Sequence, residues 1–151
     1  MTLVTVLALS VATPCTLTPE ALCERVSQVR LIPFKGLGTD EAYLALMNAG
    51  EAVVPCLIEK IIDTTPMPDP RMAPKYPGTV VGDIAFFILL EITGTELEGL
   101  LPETVRESFR VNGVYAYFDY VANSDNRVQL QQRCRDWWRQ RKSRGERNGE
   151  D

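Results

Sequence analysis

Apolar residues along this chain recur mostly at the three- and four-residue spacing of amphipathic helices, and no strand-length alternation competes with that pattern. Thr18-Pro19-Glu20 predicts a helix start: Thr can cap, Pro is tolerated at the first helical position, and Glu faces the positive end of the dipole. Leu22, Val26 and Val29 then share a face. Thr39-Asp40-Glu41 opens a second helix with Tyr43, Leu46 and Met47 inward, and Gly50 ends it. Residues 51–63 place Val54, Leu57, Ile58 and Ile61 at i, i+3, i+4 and i+7, with Pro55 in the first turn.

The strongest signal is the unbroken run of seven apolar residues from Ile84 to Leu90, bracketed by Asp83 and Gly94. It is far shorter than the roughly 20 residues a bilayer span needs, so no stable membrane span is expected from it. A helix apolar nearly all round is enclosed by neighbours on more than one side. A short helix from Pro102 to Gly113, a segment with Val114, Tyr117, Phe118 and Val121 inward, and a final helix with Leu130, Cys134, Trp137 and Trp138 on one face complete the set. The fold class predicted is all-α, a compact bundle or short irregular solenoid of six or seven helices. Residues 64–78 hold five of the ten prolines and predict an extended surface connection.

Residues 51–94 resemble one HEAT-type repeat, with a first helix A-V-V-P-C-L-I-E-K-I-I-D and a second V-G-D-I-A-F-F-I-L-L-E-I-T-G. The resemblance implies two stacked antiparallel helices and a role in binding other proteins. The proline-rich connection replaces the short turn of such repeats, and no second copy recurs at a fixed period, so a compact HEAT-like bundle is expected.

At 151 residues, one domain with a genuine core is the natural size. The expected organisation is an export signal over 1–12, a helical domain over 13–142 and a flexible charged tail over 143–151. Charge is uneven: residues 1–132 carry 9 Lys+Arg against 16 Asp+Glu, and residues 133–151 carry 7 against 4. The basic end lacks apolar residues to dock it and reads as solvated rather than as a nucleic-acid site. Histidine is absent, which removes the commonest general base and a usual zinc ligand, and no C-x-x-C pair is present. No metal, cofactor or catalytic set is assigned.

MTLVTVLALSVA has the apolar character of an export signal, and Ser10-Val11-Ala12 offers small residues for cleavage, although no Lys or Arg precedes it. Export to the periplasm or outside is therefore favoured over a buried segment in a cytoplasmic protein. Four cysteines, Cys15, Cys23, Cys56 and Cys134, suit an oxidising compartment, and the pairing expected is Cys15–Cys23 with Cys56–Cys134.

Arg127 falls on the buried face of the last helix and calls for a carboxylate, for which Asp83 is the expected partner. For recognition, the pre-stiffened proline-rich connection offers Met67, Asp69, Arg71 and Tyr76. Tyr115 and Tyr120, flanking the aromatic helix, are further contact candidates. These features favour a non-enzymatic, exported module that binds a protein, of inhibitor or immunity type. The rivals are a carboxylate-dependent hydrolase of envelope glycans, drawing on Asp63, Asp69, Asp83 or Glu91, and a self-associating scaffold.

Overall fold

The computed structural model describes residues 17–32, 40–68 and 78–147. Helix α1 (Pro19–Cys23) runs into a 3-10 turn (Glu24–Gln28); α2 (Glu41–Ala49) is followed by a second such turn (Gly50–Val53) and then α3 (Val54–Lys60). After the proline-rich connection come α4 (Val81–Thr93), a single turn α5 (Leu97–Leu100), α6 (Glu103–Asn112), α7 (Val114–Val121) and the long α8 (Ser124–Arg147). The all-α expectation holds: there is no strand among the described residues, only an isolated antiparallel bridge between Pro66 and Val80.

The start and stop signals act as their chemistry requires. Thr18 accepts from the Ala21 amide, and Asp40 accepts from Tyr43 N at 2.8 Å. Gly94 closes α4 with φ 62°, in the left-handed region that suits glycine. By composition alone Glu41–Lys60 could cross a membrane as one helix. Gly50, with φ 57° and ψ −140°, breaks it instead, and Val53, Val54, Leu57 and Ile58 beyond the break are buried in the core.

Helix α4 is the centre of that core. All its residues from Val81 to Leu90 are buried except half-buried Phe87. The seven-residue apolar run is explained by this: α3 packs along α4 as its hairpin partner, while α2 and the two 3-10 turns also touch it. On another side α7 supplies aromatic contacts. Phe86 stacks on Tyr117 with ring centres 5.2 Å apart, and Tyr117 meets Phe118 edge-on at the same distance.

Close approach of α4 to the end of α3 depends on Gly82. A Cβ there would lie 2.2 Å from the carbonyl oxygen of Ile61, and the Gly82 amide donates to Asp63 O at 2.9 Å. Only glycine leaves room for that contact.

Helix α8 lies across the bundle, about 36 Å long at 1.5 Å per residue. Leu130, Cys134 and Trp138 enter the core as their spacing predicts. The helix continues past Lys142 to Arg147 through residue types such as Arg and Glu that favour helix. Glu51 pairs with Arg141 and Lys142, and Lys142 Nζ sits 4.9 Å from the Trp138 ring centre, which holds this stretch against the domain.

Candidate functional site

The most organised polar group lies where α3 ends and α4 begins. Asp83 carries a wholly buried side chain; its Oδ1 accepts from Arg127 Nη2 at 2.8 Å and from the Tyr117 hydroxyl at 2.9 Å. Its Oδ2 accepts from the Val80 amide at 3.0 Å, satisfying one of the free donors at the start of α4. Arg127 also donates to Ile61 O, and Gln131, one turn further along α8, donates to Ile58 O and Glu59 O. Thus α8 supplies donors to the last carbonyls at the end of α3, of which Ile58 O also accepts from the Ile61 amide. Burial, and then the neighbouring Asp83 carboxylate, pushes the Tyr117 phenol well above its ordinary pKa.

This arrangement brings together the two residues that the sequence placed as an ion pair. Chemically it is closed: Asp83 is withdrawn from solvent and its oxygens are taken up by Arg127, Tyr117 and Val80. Such a carboxylate cannot meet a substrate, so the glycan-hydrolase reading loses Asp83. Among the described residues no group of three or more His, Cys, Asp or Glu is placed to hold a metal ion.

The two ends of the proline-rich connection are pinned beside this junction. Met67 N donates to Thr79 O and Val81 N to Thr65 O, both at 3.0 Å. Met67 is half-buried against the core. Asp69, Arg71 and Tyr76 lie outside the described residues, as do Cys15 and the 1–12 segment.

The expected cysteine pairing is corrected. Cys23, at the end of α1, is bonded to Cys56 of α3 with Cα atoms 6.2 Å apart, so neither Cys15–Cys23 nor Cys56–Cys134 forms. The reason is helix placement: α1 packs on the start of α3, which turns Cys56 towards it, whereas Cys134 is a free thiol on the buried face of α8. Burial pushes the Cys134 thiol up to about 12.

Tyr115 and Tyr120 part company. Tyr120 packs against the core with its hydroxyl buried and unpartnered among the described residues, which makes it a poor contact group. Tyr115 is 46% exposed, and Val111, just before the Gly113 corner, is 83% exposed. They belong to a hairpin of unusual construction. Helix α6 buries none of its residues and packs chiefly against α7, with Val105 and Phe109 only half covered. Glu103, Glu107 and Arg110 are exposed along the same helix.

A recess of about 450 Å³ opens at the other end of α4, lined by Ile32, Phe87, Leu90 and Leu97 with Glu91 and Glu96 beside them. No single window of sequence announces it, because Ile32 meets the distant stretch 87–97 there. The single local signal was Tyr43, an inward tyrosine whose hydroxyl needed a partner. It donates to Glu91 Oε1 at 2.7 Å.

No family model, curated protein or solved structure matches the chain.

Proposed function

We propose that this chain is a non-enzymatic module that binds a protein partner through the α6–α7 corner. The observation that carries the reading is the α6–α7 corner: α6 buries none of its ten residues and holds Val111 out to solvent, and Tyr115, just past Gly113 on α7, is exposed beside it. A helix that adds so little to the core has its value in what it presents. Tyrosine provides large contact area at low entropic cost, and it serves as an anchor when the partner offers an apolar pocket. Glu103, Glu107 and Arg110 supply a mixed-charge rim that suits a polar border on the partner.

Two further features bear on the class of partner and the compartment. The acid excess over residues 1–132 favours encounter with a basic protein, as an inhibitor or immunity protein would use. The Cys23–Cys56 bond fits an oxidising compartment, in keeping with export.

The test is capture from a periplasmic extract followed by titration of the purified partner. Tyr115→Ala and Val111→Ser should each weaken binding about tenfold or more, the size of a hot-spot loss of about 1.4 kcal/mol or above, with the unfolding midpoint unchanged. A partner bound equally by both variants, or a captured species that proves to be a second copy of the chain, contradicts the proposal.

A further inference from the structure

The recess at the C-terminal end of α4 has a composition that specifies its occupant. Its floor is apolar, made by Ile32 before α2, Phe87 and Leu90 on α4, and Leu97 at the start of α5. Among the described residues lining it, the charged ones, Glu91 and Glu96, are both carboxylates, with no lysine or arginine between them. The helix end adds to this field. Gly94, which also lines the recess, terminates α4, so the negative end of the helix dipole is directed there.

Glu91 is positioned as well as charged. The hydroxyl of buried Tyr43, on α2, donates to Glu91 Oε1 at 2.7 Å and fixes that oxygen, leaving Oε2 to accept from a ligand. Burial, followed by the contact with Glu91, pushes the Tyr43 phenol upward, so it remains a donor at every physiological pH. The Glu91 carboxylate is therefore held by its neighbour without being neutralised by it.

We infer that this recess binds an arginine side chain flanked by apolar residues, presented by an extended segment of a partner protein. The match is one of charge and of shape together. An arginine stem can lie on Leu90 and Leu97 while its guanidinium reaches the carboxylates, and a planar, weakly hydrated cation tolerates such a half-apolar setting better than an ammonium does. An adjacent apolar side chain of the same segment fills what remains of the floor. The recess shares no residue with the α6–α7 corner, so each proposal can fail without the other.

The experiment is a titration of the full ¹⁵N-labelled chain with acetyl-Leu-Arg-Leu-amide, followed by amide shifts. The expected result is saturable movement concentrated at residues 90–97, at least tenfold weaker for acetyl-Leu-Glu-Leu-amide and weakened by added salt. Glu91→Gln combined with Glu96→Gln should lower the affinity tenfold or more while leaving the remaining spectrum in place. Tyr43→Phe, which keeps the ring and removes only the hydroxyl, should weaken binding about two- to fivefold. Absence of movement at 90–97 with millimolar peptide, equal response to the glutamate peptide, or unchanged affinity in the double variant overturns the inference.

Discussion

Arg127 Nη2 sits 2.8 Å from Asp83 Oδ1 although 44 residues separate them in sequence, and both side chains are withdrawn from water. Neither charge is left with the other alone. Asp83 also serves the start of α4 and the Tyr117 hydroxyl, and Arg127 serves the end of α3. A buried ion pair is no proof of stability, because desolvation opposes the attraction. What the junction does is fix the relative placement of α3, α4, α7 and α8, since any slip strands a polar group.

Removal of one partner should expose that dependence. Arg127→Met leaves a buried carboxylate without its cation, and the expected loss in chemical denaturation is about 3–5 kcal/mol. Combining it with Asp83→Asn should cost less than the sum of the single changes, with a coupling of about 1–3 kcal/mol. Additive losses would show that the two groups do not sense each other.

Gly82 offers a second check on the same junction. Gly82→Ala places a methyl group 2.2 Å from Ile61 O, and α4 must shift away. Overpacking of this kind costs about 1–3 kcal/mol. Gly99→Ala is the control: nothing lies within 4 Å of its added carbon, and it sits in helix α5, so stability should stay equal or rise by about 0.4–1 kcal/mol. Comparable losses at both positions would contradict the close approach.

A pH dependence follows from Asp40. Burial alone would raise its pKa, but amides of Tyr43, Arg30, Leu31 and Ala42 together hold it below its ordinary value of 3.8. A carboxylate depressed in the folded state contributes stability that is present above the unfolded pKa and is lost as pH falls through the folded one. Asp40→Ala should therefore cost about 1–2 kcal/mol at pH 7, and the gap to wild type should shrink below about pH 4. A gap that does not change with pH would remove the carboxylate from the account.

The cysteines can be read directly by peptide mapping. After alkylation at pH 8, Cys134 should be unlabelled in the folded chain, because its thiol is buried and lies almost wholly in the neutral form, and labelled once the chain is unfolded. Cys23 and Cys56 should appear in one linked peptide pair. Replacing both with serine opens a loop with a sequence separation of 33, worth about 3–4 kcal/mol by chain entropy. Any linked pair containing Cys134 would contradict the structure.

What could be read from the sequence was whatever a short window determines. The enclosure of α4 followed from seven consecutive apolar residues, its end from Gly94, and the start of α2 from Asp40. The Asp83–Arg127 contact was legible because a charge on an apolar face demands a counter-charge. Cysteine pairing was not, since it depends on which helix α3 faces, and neither was the need for glycine at 82, which only the Ile61 carbonyl imposes. The break after α2 was legible from Gly50, whereas the single turn α5 was not. Of the contact candidates, Tyr115 is presented and Tyr120 is not, because five residues carry the helix about 140° round from one to the other.

The central claim is that the core is centred on α4, while α6 adds only half-buried Val105 and Phe109 to its edge. Native-state hydrogen exchange tests this most directly. Amides of residues 84–90 should exchange only through global unfolding, while those of residues 106–112 should exchange at least a hundredfold faster through local opening. Equal protection of the two helices would place α6 within the cooperative core and contradict the account.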